Sequence, residues 1–509
     1  MSIILRIFAI FFLCILLFIP VSGVETPVII WERFLGDNNV DQAYSVQETR
    51  DKGYIVVGNT CSDRWLKTSY SKYNVDYCQD IMIFKLDSSG KILWQRSLGG
   101  SGIDSAYSVD GISDGGCIVA GSTMSNDGNV TGLHGSIDAY DYWIVQLDPG
   151  GDLIWGKTYG GSWCEESSHI WETSDEEYLV VGYANSNDGD VDPTHRRGDY
   201  WVIMLSKDGD LLWQKSITGL VGTIWDFQNT SDHGFIIAGS CPPPCDNSRD
   251  CWRTDYWICK LDCNGTVLWQ KMYGGSGSDI ACCIRELPGD GFIVAGTTTS
   301  NDGDVITNRG MSDIWVIKLD ESGDLIWQTC MGGSNFYSVS SVLGTRDRGF
   351  IITGITRPDG EVSGDPSRYG DIWMKKLDYN GTIIWDIILH KGVWNEARSL
   401  IETSDNGFLI AGYVHSSKET IPGLHGGCDY YVVKLGALKS LPNTGRLPLD
   451  PDQDGKYEDI NGDGAITVDD MFLFFQSMDW ISQHEPIPCF DYNDDQNITW
   501  RDGLSLLAR

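Results

Sequence analysis

Two stretches near the C-terminal end of the chain place oxygen-bearing side chains at the spacing of a calcium-binding loop. Calcium prefers oxygen ligands, which a short loop supplies from alternating positions. In the first stretch Gly464 permits the sharp turn, and the Ala465 carbonyl supplies a further oxygen. The sequence therefore predicts a calcium site in this loop. Its side-chain ligands are Asp459, Asn461, Asp463, Thr467 and Asp470.

The second stretch repeats the pattern with one departure. Gln496 stands where the turn requires glycine, so weaker calcium binding is expected there. An apolar run follows each loop, Met471–Phe475 and Gly503–Leu507, and predicts a short helix. A solvated acidic tail is the alternative interpretation of this region. The ligands predicted in the second loop are Asp491, Asn493, Asp495, Asn497, Thr499 and Asp502.

The two loops, each followed by a helix, resemble a dockerin module, in which paired calcium loop–helix units bind a cohesin. The lead-in from Asp450 to Asp459 resembles that of dockerin-like modules in methanogenic archaea. The last ligand of the first loop is aspartate rather than glutamate, which is usual for dockerins. The resemblance implies calcium as the cofactor and a cohesin-like protein as a partner bound through residues 450–509.

The preceding part of the chain is organised by a unit of about 58 residues that occurs seven times. One strand of the unit has the form Asp313-Ile-Trp-Val-Ile-Lys-Leu-Asp320, and the next is an Ile/Leu-x-Trp strand that usually runs into Gly-Gly. The Asp strands start at Asp80, Asp141, Asp199, Asp255, Asp313, Asp371 and Asp429. The tryptophans of the other strand are Trp31, Trp94, Trp155, Trp213, Trp269, Trp327 and Trp385.

One unit is split between the two ends of the repeat region, because the first Trp strand and the last Asp strand lack partners. Each unit carries four strand signals and no helical periodicity. Joining the ends leaves no free sheet edge. The sequence therefore predicts an all-β fold over residues 25–435, a seven-bladed β-propeller closed by the N-terminal strand Val28–Phe34 beside Tyr430–Leu435. Residues 436–449 are the predicted linker, and residues 450–509 the small α-helical calcium module.

The repeated tryptophans and aspartates are predicted to be structural, since a residue needed once for chemistry is not expected in every unit. Tryptophan is expected to pack between neighbouring units, where a large ring is buried. Aspartate is expected to accept hydrogen bonds from the amides of turns.

The longer and more variable loops, between the second and third strands, mark the face predicted to bind a glycan or a protein. Two acidic patterns lie on this face. Asp188 with Asp190, and Asp302 with Asp304, suit either calcium or a plain Asx turn. The other pattern is a set of carboxylates at the starts of innermost strands, predicted to hold a cation at the channel mouth or simply to be solvated. These are Asp41, Asp104, Glu165 and Asp279.

The net charge, the N-terminal segment and the cysteines limit the possible binding partners and the cellular location of the protein. A net charge of −34 excludes nucleic acid and anionic membranes as partners. Residues 1–24 are a predicted signal peptide, and no later segment is apolar enough to span a membrane, so the protein is expected to be secreted, extracellular or on the cell surface. Cys61 and Cys78 flank one long loop and are the candidate disulfide.

The unit, as in Asp114-Gly-Gly-Cys-Ile-Val-Ala-Gly121, resembles the Trp-ended repeats of pyrroloquinoline-quinone-like propellers and, more closely, repeats of secreted bacterial and archaeal proteins. The prediction is a non-catalytic binding or scaffold protein attached to an extracellular assembly. One alternative is an endoglucanase-like polysaccharide hydrolase of a cellulosome-like system, although no unique carboxylate pair identifies catalytic residues. The other is a quinone oxidoreductase, because Cys282-Cys283 resembles a cysteine pair of some quinoproteins.

Overall fold

The computed structural model describes most of the repeat region and part of the C-terminal module. The described residues are 26–61, 79–135, 139–217, 223–242, 253–357, 370–389, 394–415, 421, 423–436, 459–460, 466–484, 490–492 and 497–506. The predicted signal peptide and, except for Gly436, the predicted linker lie outside them. Among the described helices, none is both long enough and apolar enough to cross a membrane.

The second to sixth repeats each form a separate four-stranded antiparallel sheet. The second comprises β6 (Asp104–Gly111), β7 (Cys117–Thr123), β8 (Asp141–Leu147) and β9 (Leu153–Tyr159). The third comprises β10 (Glu165–Glu172), β11 (Tyr178–Ala184), β12 (Asp199–Leu205) and β13 (Leu211–Ile217). The fourth comprises β14 (Thr223–Asn229), β15 (Phe235–Cys241), β16 (Asp255–Leu261) and β17 (Val267–Tyr273).

The fifth repeat comprises β18 (Asp279–Glu286), β19 (Phe292–Thr298), β20 (Asp313–Leu319) and β21 (Leu325–Met331). The sixth comprises β22 (Phe336–Gly344), β23 (Phe350–Arg357), β24 (Asp371–Leu377) and β25 (Ile383–Leu389). Each of these sheets runs first strand to fourth strand in chain order, with short turns except for the longer loop between the second and third strands.

The first and last repeats share one eight-stranded sheet. The first repeat comprises β2 (Val40–Glu48), β3 (Tyr54–Cys61), β4 (Gln79–Leu86) and β5 (Ile92–Leu98). The last comprises β26 (Trp394–Glu402), β27 (Phe408–His415), β28 (Cys428–Gly436) and, from the N-terminal end, β1 (Val28–Leu35). As predicted, β1 pairs antiparallel with β28, with Leu35 opposite Tyr430.

The prediction of a single closed seven-bladed propeller is wrong. The structure has five four-stranded sheets and one larger sheet among its described residues, because β2 and β28 are hydrogen-bonded in parallel where Val40 meets Cys428. That contact joins two repeats that the sequence pattern treats as separate. The fold is therefore β-rich and propeller-like, with consecutive sheets packed against one another.

The hydrophobic core lies between neighbouring sheets. Second and third strands are buried on both faces, as along β8. Their sequences are therefore nearly continuous runs of apolar residues, without alternation of apolar and polar residues. Fourth strands such as β9 have exposed residues and form the outer edge. Each junction between consecutive repeats has its own cluster of buried aliphatic and aromatic side chains.

The repeated tryptophan fastens one sheet to the next, as predicted. The indole of Trp94 packs on Gly151 in a turn of the following repeat, and its Nε1 donates to the Pro149 carbonyl at 3.0 Å. Gly151 has a φ of 80°, and a side chain there would meet the indole, so the site requires glycine. The same contact recurs for Trp31, Trp155, Trp269 and Trp327.

The repeated aspartates stabilise turns. Asp313 Oδ2 accepts a hydrogen bond from the Arg309 amide, and Asp429 Oδ2 accepts one from the His425 amide, each at 2.7 Å, which is the role predicted for the repeated aspartates. In five of the described repeats, an aspartate in the first turn also pairs with a buried lysine on the third strand. The pairs, with N–O distances of 2.6–2.8 Å, are Lys85–Asp51, Lys260–Asp232, Lys318–Asp290, Lys376–Asp347 and Lys434–Asp405.

Two helices are described in the C-terminal module, α1 (Val468–His484) and α2 (Trp500–Leu506). Both begin with a Thr-x-x-Asp capping box: the Asp470 carboxylate accepts from the Thr467 amide, and Asp502 from Thr499, each at 2.7 Å. The helices enclose a small core, against which Val28 of β1 also packs. The module therefore contacts the strand that completes the last repeat.

Candidate functional site

The first strand of every repeat contains a β-bulge at the same position. A bulge adds one residue to the strand, aims its side chain differently and is frequent beside binding sites. The bulged residue varies among the seven described first strands, whereas serine recurs at the position after it. In chain order the bulged residues are Tyr44, Tyr107, Ser168, Trp225, Cys282, Ser340 and Arg398.

The junction between the third and fourth repeats, called the seam below, differs from the others. The backbones of β10 and β14 do not approach each other as the other described neighbouring first strands do. The contact between the repeated tryptophan and the turn glycine of the following repeat is also missing here. Trp213 is 39% exposed, and the turn glycine, Gly265, lies against Lys215 and Ile217 rather than against the indole. Bulky side chains fill the space, with Trp171 against Phe227 at a ring distance of 6.3 Å. Among the described junctions, the seam is thus the one at which the first strands of neighbouring repeats are not in close contact.

A cleft of about 320 Å³ opens at the seam. The bulged residues of three successive repeats line it: Tyr107 and Trp225 with the small Ser168 between them in the series. Trp225 is 54% exposed, and Tyr183 and Tyr200 add two further aromatic rings. Aromatic rings that remain exposed in a concave site provide contact area for a ligand.

Glu166 is an exposed carboxylate in the cleft. Within the described residues, no hydrogen bond or ion pair involves this side chain. Burial, and then the nearby charge of Glu166, raise the pKa of Tyr107 to about 12, so the phenol remains protonated and neutral. Glu166 is therefore a carboxylate among neutral aromatic rings that, within the described residues, is not paired with a cation.

A second carboxylate in the cleft, Asp226, is held by its neighbours. It replaces the serine that follows the bulge in several other repeats, as Ser108 does in β6. Asp226 Oδ2 accepts from Arg285 Nη1 at 2.5 Å and from the Ile284 amide at 2.9 Å, and Oδ1 lies 3.4 Å from His169 Nε2. Burial alone would raise the pKa of Asp226, but the charge of Arg285 and the hydrogen bond with His169 lower it. Asp226 is thus an ionised anchor that links β10, β14 and β18.

The four carboxylates predicted at the channel mouth do not come together in the structure. Asp41, Asp104, Glu165 and Asp279 are all fully buried, each within its own repeat. Asp104 Oδ2 accepts from the Gly100 amide at 2.7 Å, and Asp279 Oδ2 accepts from Gly275 at 2.9 Å. In the described part of the chain, no three His, Cys, Asp or Glu side chains are grouped as metal ligands would be.

The acidic loops between second and third strands are held by hydrogen bonds to the segment that precedes the first strand of the same repeat. Asp188 Oδ1 accepts from the Ser162 amide at 2.8 Å, and Asp302 Oδ1 accepts from the Ser276 amide at 2.6 Å. These bonds fasten each loop to the Gly-containing segment that enters the same repeat. They are not Asx turns, in which the carboxylate binds an amide two residues further along the chain, because each carboxylate here binds an amide 26 residues away.

The predicted calcium loops are described in part. Asn461, Asp463, Ala465, Asn493 and Asp495 lie outside the described residues, whereas the first and last ligand positions of both loops are described. Those four carboxylates, Asp459, Asp470, Asp491 and Asp502, are all buried. Asp470 and Asp502 each accept a hydrogen bond from a threonine amide at one oxygen, and carboxylate oxygens are the ligands that calcium prefers, so the residues present are chemically compatible with a calcium ion. Thr467, Thr499 and Asn497 lie beside them in the two loops.

Of the cysteines singled out in the sequence, Cys61, Cys282 and Cys283 are described and Cys78 is not. Cys61 ends β3, but Cys78 lies outside the described residues, so their disulfide stays a prediction. Cys282 occupies the bulge of β18 and Cys283 is buried behind it. Burial raises the pKa of both thiols, which keeps them protonated.

The cleft residues were not among the predicted site residues. Their signal is present in the sequence as one variable column, from Tyr44 to Arg398, inside an otherwise regular first strand. The bulge that aims these side chains depends on backbone geometry, which the alternation pattern does not reveal.

Comparisons with known proteins give distant structural similarities. No family model matches the chain, and no curated protein matches it. A protein of unknown function from Dyadobacter fermentans is 12% identical, with 82% of this chain and 99% of that one covered and a TM-score of 0.37. The WD40 domain of Pan2 from Neurospora crassa is 9% identical (78% and 89% covered, TM-score 0.38). The α-L-arabinofuranosidase Arb93A from Fusarium graminearum is 11% identical (81% and 98%, TM-score 0.36). Similarities at this level do not assign a function.

Proposed function

We propose that the protein is a secreted or cell-surface binding protein that recognises a glycan or protein ligand in the cleft at the seam. The observation that supports this proposal most strongly is that several residues at the seam differ from their counterparts at the other junctions. Trp213 loses its fastening contact, Asp226 replaces serine, and Trp225 is an exposed bulged residue, all at one junction. Structural repeats conserve packing, so a cluster of departures around a concave space favours ligand recognition.

We further propose that residues 450–509 bind calcium and attach the protein to an extracellular assembly through a cohesin-like partner. The buried carboxylates at both ends of each loop support this proposal, since calcium would neutralise their charge. Asp459 and Asp470 would hold the first ion, and Asp491 and Asp502 the second.

The binding proposal is tested with the full chain on a panel of glycans and of extracellular proteins. Binders of the wild-type chain are then measured against Trp225→Ala, which removes an exposed cleft ring, and against Trp163→Ala as a matched control. Trp163 is 50% exposed but does not line the cleft. Loss of at least tenfold in affinity is expected for Trp225→Ala only, corresponding to about 1.4 kcal/mol. Equal behaviour of the two variants contradicts a ligand site at the seam.

A further inference from the structure

The last repeat holds a cationic side chain of its own at the bulge. The guanidinium of Arg398 lies 5.5 Å from the ring centre of Tyr44, in the next repeat, and 5.8 Å from that of Tyr413. Its Nη2 is 2.5 Å from Glu396 Oε1, and the Tyr413 hydroxyl donates to Glu396 Oε2 at 2.5 Å. A carboxylate and two aromatic rings thus surround one guanidinium, which is a favourable environment for a cation.

The third repeat carries equivalent residues without the cation, and there they are more exposed. Glu166 stands at the position of Glu396, and it faces Tyr183 across the strand pair as Glu396 faces Tyr413. Trp225, the bulged residue of the next repeat, is the counterpart of Tyr44 in the repeat register, and it lines the cleft together with Glu166 and Tyr183. Two residues differ between the sets, because Trp225 replaces Tyr44 and the bulged Ser168 replaces Arg398. A carboxylate and two aromatic rings are thus kept around the cleft, whereas the arginine is not.

The basic side chains near the cleft do not fill that space. His169 and Arg285 are directed at Asp226, with contacts of 3.4 and 2.5 Å. Glu166 is exposed and, in the described residues, has no partner of its own. The side chain of Arg398 is 40% exposed in the equivalent position, so the open counterpart is reachable from solvent.

We propose that the cleft binds a guanidinium group, namely an arginyl side chain of a protein or peptide partner, between Glu166, Tyr183 and Trp225. This inference rests on the proposed function and narrows its ligand to the protein class. The partner's guanidinium takes the place that Arg398 fills in the last repeat. The net charge of −34 favours the approach of such a cationic partner.

The test uses calorimetric titration of the full chain with N-acetyl-L-arginine amide and with N-acetyl-L-citrulline amide. Citrulline has nearly the same shape but a neutral urea group, so the pair isolates the charge. The wild-type chain is expected to prefer the arginine compound at least tenfold, and Glu166→Gln is expected to remove that preference. Equal affinity for the two compounds overturns the inference.

Three further variants use the repeats as their own controls. Ser168→Arg is expected to fold normally, since the last repeat accommodates arginine at this position, and to abolish binding by placing its own guanidinium in the cleft. Ser340→Arg, at the bulge of the sixth repeat, is expected to bind like the wild type. Arg398→Ser is expected to open a second arginine site. Unchanged binding by a folded Ser168→Arg chain also overturns the inference.

The outcomes separate this inference from the proposed function. If neither amide binds, but a neutral glycan binds and requires Trp225, the cleft is a ligand site and the arginine assignment fails. If no ligand depends on Trp225, the proposed function fails as well.

Discussion

Replacing Asp347 by alanine tests how the repeats tolerate a buried lysine. Lys376 in β24 is 3% exposed, and its ammonium is held by Asp347 Oδ1 at 2.6 Å and by the Thr345 hydroxyl. Burial would raise the pKa of Asp347, but the hydrogen bond from Lys376 lowers it, so the carboxylate is charged at neutral pH. Asp347→Ala leaves a buried ammonium with one neutral acceptor.

The magnitude follows from the burial of the two partners. Removing one partner of a fully buried pair costs about 3–5 kcal/mol, because the remaining charge is uncompensated. Asp347 is 53% exposed, so water replaces part of its contribution, and a loss of about 2–3 kcal/mol in the free energy of unfolding is expected. Adding Lys376→Met to the same chain is expected to restore at least half of this loss. Methionine already stands at the equivalent position in the third repeat, as Met204.

Urea unfolding, followed by tryptophan fluorescence and circular dichroism, measures these differences as shifts of the midpoint. The matched control is Asp386→Ala, which breaks the neighbouring pair with Lys375, where the N–O distance is 2.9 Å and Asp386 is largely exposed. A cost below about 1 kcal/mol is expected for the control. Equal midpoints for Asp347→Ala and Asp386→Ala, or a double variant less stable than Asp347→Ala, would refute the reasoning.

Three further predictions concern the ends of the chain and its charge. Deleting residues 25–36 removes β1 and exposes the edge of β28, so an aggregated product is expected by size-exclusion chromatography; an unchanged monomer would contradict the role of this strand. Chelation of calcium is expected to reduce the helical signal of the C-terminal module, and Asp463→Ala is expected to weaken calcium binding more than Asp495→Ala; equal effects in calorimetry would reject that ranking. Burial raises the pKa of Asp255 to about 6. Partial desolvation would also raise the pKa of Asp51, but hydrogen bonds with Lys85 and Thr49 lower it to about 2. Because the folded state binds a proton at Asp255 more tightly than the unfolded state does, its stability rises as the pH falls from 7 to 5. Because the folded state binds a proton at Asp51 more weakly, its stability falls from pH 4 to 2. The melting temperature is therefore expected to peak near pH 4–5. A maximum at pH 7 in a thermal scan would contradict these shifts.

Much of the fold could be predicted from the spacing of a few residues. In most units the Asp-x-Trp strand and the Ile/Leu-x-Trp strand are neighbours in chain and sheet, so local pattern was enough to predict these units. The pairing of β1 with β28 was predicted from the two halves of the split unit, which lack partners at opposite ends of the repeat region. The joining of the first and last repeats into one sheet could not be predicted, because it depends on one backbone contact between Val40 and Cys428 that carries no side-chain signal. Hydrogen bonding between segments so distant in the chain leaves no local periodicity.

The candidate site was harder to predict for a related reason. The predicted carboxylates, such as Asp104, were chosen because they recur, and recurrence proved to mark residues that fasten loops. The cleft depends on residues that differ from their counterparts, Ser168 and Trp225 above all, and on a bulge that aims them. Side-chain direction at a bulge is set by backbone geometry, which alternation of apolar and polar residues does not encode.

The ligand site at the seam is tested most directly by oxidative footprinting of tryptophans in the full chain, with and without a ligand from the binding panel. Trp225 and Trp500 are similarly exposed, at 54% and 57%, so Trp500 in α2 serves as an internal reference. Bound ligand is expected to protect Trp225 from oxidation by at least severalfold and to leave the oxidation of Trp500 unchanged. Ligand binding that leaves the oxidation of Trp225 unchanged would contradict a ligand site at the seam.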